Sequence, residues 1–333
     1  MARELPIALS PGEPAGVGPE ITAQAWQALR AEKGLAFFLI GDIAHQRAMA
    51  PATAVAEIRS PDEAAAAFPG ALPVLSLPLQ SAVTPGKPNP AHAGEITGAI
   101  RKAVELCLAG KASALVTNPI QKETLYQAGF RFEGHTDYLA ALAREMGHAA
   151  SPVMMLCAPD LRTVPVTIHI PLKDVPGALS VALILEQARV TARDLTARLG
   201  IARPRIGITG LNPHAGENGM IGREEIDIIA PAIATLRAEG LDVSGPLSAD
   251  ATFHAEARAA FDVILCMYHD QALIPVKTLG FHEGINATLG LPFIRTSPDH
   301  GTALALAGTG KANPSSLIHA IRMAADMARR SGL

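Results

Sequence analysis

The chain has 333 residues, of which 49% are hydrophobic and 18% charged, with a formal net charge of -3; that length suits two lobes of ordinary domain size and gives no electrostatic bias towards nucleic acid. No stretch approaches a membrane span, and the short apolar run near the amino terminus does not make a leader, so a cytoplasmic protein is expected. Cys107, Cys157 and Cys266 are widely spaced and odd in number, without C-x-x-C, which excludes a disulfide framework and a thiolate zinc site; each reads as a small buried hydrophobe, and any metal falls to histidines and carboxylates.

In chain order, strand-length apolar runs occupy residues 6–9, 37–40, 114–117, 153–157, 206–209 and 263–267. Helical periodicity with good helix formers covers 20–31, 95–108, 137–146, 181–199, 224–238 and 315–329. This alternation predicts α/β architecture with mainly parallel sheets covered on both faces. Residues 69–90 read as an irregular surface excursion, and no linker marks a lobe boundary. In such folds ligand groups gather on loops past the carboxyl ends of strands. Accordingly, 114–117 runs into Asn118 and Pro119, 206–209 into Gly-Leu-Asn-Pro-His214, and 263–267 into Tyr-His269-Asp270.

The loop Ser10-Pro-Gly-Glu-Pro-Ala-Gly-Val-Gly-Pro-Glu20 follows the first strand and opens the first long helix, with Pro19 suited to a first helical position. Its glycines at 12, 16 and 18 do not match G-x-G-x-x-G, so it serves equally as a tight turn or a ligand loop. Gly134-His135-Thr136-Asp137 precedes a helix; Thr136 there is a capping residue, or else His135 and Thr136 hold an anion at the helix N-terminus. His169, His214 and His269 all end or follow apolar strand runs. Their separations of 45 and 55 residues are too long for a local finger and normal for loops converging at one sheet edge. Three neutral imidazoles with an open position suit a catalytic divalent ion, zinc first, with magnesium or cobalt as other candidates.

The densest segment is 266–302, which sets His269, Asp270, Lys277, Asn286, Arg295, Asp299 and His300 among glycines and prolines. Lys277 and Arg295 lie in apolar surroundings, where a buried charge needs an anionic partner. Arg295 offers forked donors, Lys277 a compact charge and Asn286 a neutral donor. Residues 300–314, His-Gly-Thr-Ala-Leu-Ala-Leu-Ala-Gly-Thr-Gly-Lys-Ala-Asn-Pro, contain Gly-Thr-Gly-Lys311 without the Ser or Thr that a phosphate loop requires. That stretch reads evenly as a ligand loop or as a helix-entry turn.

Segment 266–302 resembles, nearly residue for residue, the signature of the 4-hydroxythreonine-4-phosphate dehydrogenases, and the resemblance runs from 11–20 to Asn313. Ile168 and Ser248 depart from the usual Thr and Pro, and neither is a ligand position. The resemblance implies two α/β/α lobes of the isocitrate and isopropylmalate dehydrogenase type, with the active site in the cleft and completed by the second subunit of a homodimer. We expect lobes at 1–134 plus 300–333, with the cofactor loop, and at 135–299, with the metal and substrate residues. It assigns the metal to His169, His214 and His269, and substrate contacts to His135, Thr136, Lys277, Asn286 and Arg295. Residues 300–314 are similar to the adenosine loop of those dehydrogenases, which places NAD or NADP at Gly301, Thr302, Gly308, Gly310 and Asn313. The implied reaction oxidises the 3-hydroxyl of 4-(phosphooxy)-L-threonine to 2-amino-3-oxo-4-(phosphooxy)butyrate, which decarboxylates to 3-amino-2-oxopropyl phosphate in pyridoxine (vitamin B6) biosynthesis. Lys277 or Asp250 relays the alcohol proton. The alternatives are a dehydrogenase of threonate or erythronate 4-phosphate, a metal-dependent hydrolase using the same histidines, and a two-lobed binding protein.

Overall fold

The computed structural model describes residues 5–333; residues 1–4, part of the amino-terminal segment considered above as a leader, lie outside the described residues. The strands among the described residues are β1 (Ile7–Ser10), β2 (Phe37–Gly41), β3 (Val55–Ile58), β4 (Leu72–Ser76), β5 (Leu115–Thr117), β6 (Val153–Ala158), β7 (Leu161–Pro165), β8 (Arg205–Thr209), β9 (Asp242–Leu247), β10 (Val263–Cys266), β11 (Ile285–Leu289) and β12 (Arg295–Pro298). The helices that matter below are α1 (Gly18–Leu29), α2 (Ala93–Leu108), α3 (Lys122–Gln127), α4 (His135–Glu145), α5 (Val181–Leu199), α6 (Ala230–Ala238), α7 (His269–Gly280) and α8 (Ser315–Ser331).

The chain folds as two compact units, Met1–Pro152 with Leu291–Leu333, and Val153–Gly290. These boundaries differ from the expected 134/135 and 299/300. Residues 295 and 296 of β12 pair in parallel with β5, and α4 packs on α2, so His135, Thr136 and Arg295 belong to the first unit.

In the first unit the strand order is β3-β4-β2-β1-β5-β12, and every pair is parallel. Successive side chains of a strand face opposite ways. Both parities of β1 and β2 are buried, as a sheet covered on both faces requires. Ala8, Phe38, Ile40 and Leu115 join the core under α2 and α4. The helix α2 turns Ile96, Ala99, Ile100, Ala103 and Val104 inward at helical spacing, and each fully buried Ile or Val contributes roughly 1.5–3 kcal/mol. Trp26 of α1 is buried and donates Nε1–H to the Phe68 carbonyl at 2.8 Å. The segment 69–90, expected to be irregular, contains the largely buried strand β4. Pro73 disguises it, since proline argues against an interior strand; the pairing with β2 runs from Val74, beyond the missing N–H.

The second unit is a mixed sheet, β11-β6-β7-β10-β8-β9, antiparallel across β11, β6 and β7 and parallel from β7 to β9. Helix α7 lays Ala272 and Val276 on Leu156, Leu161, Ile264 and Cys266. None of the three cysteines is in a disulfide; Cys157 and Cys266 are buried, and burial pushes the Cys107 thiol up to about 12. No helix among the described residues is long and apolar enough to cross a membrane.

Candidate active site

The first unit carries a niche lined by a buried cation at a helix start. The strand β5 ends at Thr117, and the buried Arg295, opening β12 beside it, donates from Nη2 to Thr117 Oγ1 at 2.7 Å. Burial pushes the Arg295 pKa down to about 9, so the guanidinium stays charged at neutral pH in a desolvated setting. Helix α4 follows Gly134, which as N-cap offers no side chain to the first-turn amides. His135 sits at its first position, and its Nε2 is covered without a hydrogen-bond partner. Burial, then the nearby charges of Arg295 and Lys122, hold the imidazole well below its usual pKa. It is therefore neutral at pH 7 and offers one N–H. Thr136 follows in the same first turn and is half-buried.

The second unit gathers the three histidines at one sheet edge. Its strands β7, β10 and β8 are adjacent and parallel, with Pro165 opposite Cys266 and Leu265 opposite Ile208, so their carboxyl ends are nearly flush. His169, His269 and His214 follow these ends in turn. The rings of His169 and His269 lie 5.7 Å apart. His269 Nδ1 meets Asp270 at 2.7 Å and His214 Nδ1 meets Glu217 at 2.9 Å. A carboxylate on Nδ1 orients the ring and leaves Nε2 for an ion. Among the described residues, no three His, Cys, Asp or Glu side chains are gathered closely enough to enclose a metal. The donors fit a divalent cation in kind and by their common edge, and their present spacing is open.

Residues behind the histidines fix that edge. Gln271 accepts from Met267 N–H at 2.7 Å and Thr209 Oγ1 at 2.8 Å, and donates to the Gly210 carbonyl at 2.9 Å, tying the ends of β10 and β8 together. Glu225, 4% exposed, accepts from the amides of Leu211 and Asn212. Burial pushes its pKa up, but the hydrogen bonds from Asn212, its own amide and Leu211 together outweigh it and hold the carboxylate low. A Cβ at Gly216 would stand 2.6 Å from Glu225 Oε2, so glycine is required there. The histidine loop turns about this anchor, with residues 214–218 all in the left-handed region.

Lys277 lies on α7 with its ammonium over the Phe281 ring, 5.5 Å from the centroid. Asn286 is on β11, and its Oδ1 is buried without a hydrogen-bond partner. Asp250, near His214, is exposed, and a hydrogen bond from the Ser248 hydroxyl holds its carboxyl below the ordinary value.

The loop 300–314 belongs to the first unit and is anchored from within. Glu20 of α1 accepts from the amides of Gly308 at 2.9 Å and Gly310 at 2.6 Å. Both glycines have positive φ, 79° and 69°, so the backbone itself calls for glycine there. Thr302 donates to Gln121 Oε1, and Asn313 accepts from the Ser315 amide. Gly301 alone of the three glycines expected at the cofactor is exposed without a positive φ, and open space surrounds its Cβ position.

The family model described as pyridoxal phosphate biosynthetic protein PdxA matches residues 35–324. The chain belongs to this family. It is 54% identical to the 4-hydroxythreonine-4-phosphate dehydrogenase of Caulobacter vibrioides over 98% of this chain and 99% of that protein. The enzyme of the same description from Bradyrhizobium diazoefficiens is 52% identical, with 97% of each chain covered. Among solved structures, the 4-hydroxythreonine-4-phosphate dehydrogenase of Klebsiella pneumoniae superposes with a TM-score of 0.85 at 36% identity, covering 97% of this chain and 99% of that one.

Within this PdxA-family chain, sequence reasoning had no signal for Glu20, Lys122, Gln271 or Glu225 as site-supporting groups. Each acts at a distance along the chain: 288 residues separate Glu20 from Gly308, and 62 separate Gln271 from Thr209. The Glu of the glycine loop and the Gln two residues past His269 were visible, but their partners were not.

Proposed function

We propose how the chain's residues carry out its reaction. The activity is that of a 4-hydroxythreonine-4-phosphate dehydrogenase, an oxidoreductase of pyridoxal phosphate biosynthesis. The observation that carries the assignment of a substrate subsite is the niche of the first unit: a buried arginine and a covered neutral histidine beside an uncapped helix start. Such a niche binds a phosphate or carboxylate through amides, dipole and guanidinium together. His135, Thr136 and Arg295 are assigned to the substrate's anionic groups, with Lys277 and Asn286 as further substrate contacts.

His169, His214 and His269 would hold a divalent ion, zinc first and magnesium or cobalt otherwise. When bound, that ion supplies Lewis acidity that polarises the substrate's hydroxyl oxygen. Oxidation at C3 would deliver a hydride to a nicotinamide, NAD or NADP, and the hydroxyl proton to a base; loss of carbon dioxide from the resulting 3-oxo carboxylate, with a proton taken up at C2, gives 3-amino-2-oxopropyl phosphate. The proton relay is assigned to Lys277 or Asp250; a hydrogen bond from Ser248 holds the Asp250 carboxyl below its ordinary value and so keeps it ionised as an acceptor. The loop 300–314 is assigned to the cofactor's adenosine half, with Gly301, Thr302 and Asn313 facing it and Gly308 and Gly310 shaping it.

A cytoplasmic homodimer completes the reading. Exposed large apolar residues of the second unit follow each histidine in sequence: Leu172 after His169, Met220 after His214, and Ile274 and Phe281 after His269. Large apolar residues left in water are what a second subunit would cover. The test is formation of reduced nicotinamide, followed by absorbance, with metal-loaded protein. Turnover of 4-(phosphooxy)-L-threonine far above threonate or erythronate 4-phosphate is expected; preference for the latter two would move the substrate assignment to them.

A further inference from the structure

Lys122 opens the short helix α3, four residues past the loop residue Asn118. Its side chain extends to the start of α4: a Cβ at Gly134 would stand 3.5 Å from Lys122 Cε and 3.7 Å from Nζ. The backbone at Gly134 is extended, with φ of 177°, so glycine is not needed there for conformation. A side chain there would lie in ordinary contact with the Lys122 ammonium, which places that charge at the helix start. The same charge acts on His135, together with that of Arg295. Two cations and a neutral imidazole therefore surround one uncapped helix N-terminus. Lys122 has no ion pair with a carboxylate among the described residues, and the acidic residues nearest in sequence, Glu123, Glu133 and Asp137, are exposed.

A phosphate monoester carries close to two negative charges at neutral pH. Arg295 and the helix dipole, which is worth about half a charge, leave part of that unmatched. The exposed Lys122 ammonium at the rim supplies the remainder. We propose that Lys122 is a substrate-binding residue of this niche, closing on the phosphate held by His135, Thr136 and Arg295. The proposal rests on the reading of that niche as the substrate's anion subsite.

Inorganic phosphate is the probe, measured as a competitive inhibitor against 4-(phosphooxy)-L-threonine in the metal-loaded enzyme and as a rise in melting temperature of the metal-free protein. Lys122→Ala is expected to weaken phosphate inhibition and raise the substrate KM, each on the order of 10- to 100-fold, with the KM for the nicotinamide unchanged. Lys122→Arg should recover most of the loss. Should Lys122→Ala fold poorly, Lys122→Gln keeps the stem and removes the charge. Arg295→Ala serves as the reference. If it abolishes the phosphate effects while Lys122→Ala and Lys122→Gln retain them, Lys122 is not in the subsite and the niche stands. If neither position affects phosphate, the niche itself is not the anion site.

Discussion

The two units place their reactive groups in opposite environments. In the first unit, Arg295 is 3% exposed and the Nε2 of His135 is sealed. In the second, the side chains of His214 and His269 are 63% and 35% exposed, and large apolar residues of the same unit stand in water. A desolvated cation binds an anion strongly because little water has to be displaced and the local dielectric is low. Exposed imidazoles bind a cation only as a set, and the set here is open. The first site is built by burial within one unit, whereas the second, on the proposed reading, is completed by an ion and a covering surface.

The largest effect should come from removing one of the exposed ligands. His214→Ala is expected to lose most bound metal and nearly all turnover, with an unchanged melting temperature for the metal-free protein. Stoichiometric metal in that variant, measured by elemental analysis after dialysis, would remove His214 from the set and leave the second unit's edge without its assigned role. Next in size is Arg295→Ala, where loss of a charge-assisted contact in a desolvated site costs about 2–5 kcal/mol of substrate binding. The substrate KM should rise accordingly and the nicotinamide KM should not. An equal rise in both would mean that the buried niche supports the fold rather than the ligand.

These two sites were unequally legible in the sequence. The histidines stood out because strand-length apolar runs at 206–209 and 263–267 lead into the loops that carry His214 and His269, and the observed strands β8 and β10 lie within a residue of those ranges. Helix α5 coincides with the expected 181–199. By contrast, α7 went unread: Pro275 sits in its interior, and proline there ordinarily stops a helix. Strand β12 was hidden because Arg-Thr-Ser-Pro carries no apolar alternation, although all four residues are buried. That is also why Arg295 was assigned to the second lobe. Its place follows from pairing with β5, a contact between residues 180 apart in the chain, and no local pattern encodes such a contact.

A smaller effect tests the covering surface. Leu172→Glu with Phe281→Glu puts charge on two side chains that are 67% and 68% exposed, so the fold of the single chain should be unaffected. Sedimentation should show a dimer in the parent and a weakened one in the variant, with turnover falling in proportion. A variant that stayed dimeric and active would place the partner elsewhere.

For the cofactor loop, Gly308 is a poor probe, since φ of 79° and Pro85 Cβ only 3.2 Å from an added Cβ would strain any replacement. Gly301 meets nothing within 4 Å and has no such backbone demand. Gly301→Val should weaken nicotinamide binding about tenfold by filling ligand space, on the order of 1.4 kcal/mol, while leaving phosphate inhibition intact. Direct titration reads this. Unchanged affinity would return 300–314 to a turn whose amides serve only Glu20.

The smallest effect concerns protons in the sealed niche. The His135 pKa is well below its usual value in the folded protein, chiefly through burial and then through Arg295 and Lys122, whereas in the unfolded chain it titrates near 6.5. Below that pH the unfolded state binds a proton that the folded state refuses, so His135 lowers stability as pH falls through about 6.5 and has no such effect above it. In metal-free protein the urea midpoint should therefore drop between pH 8 and 5.5, and His135→Gln should show a smaller drop. Equal drops in parent and variant would mean that His135 takes its proton as readily folded as unfolded. The niche would then be open to water, and the contrast between a sealed first site and an exposed second one would fail.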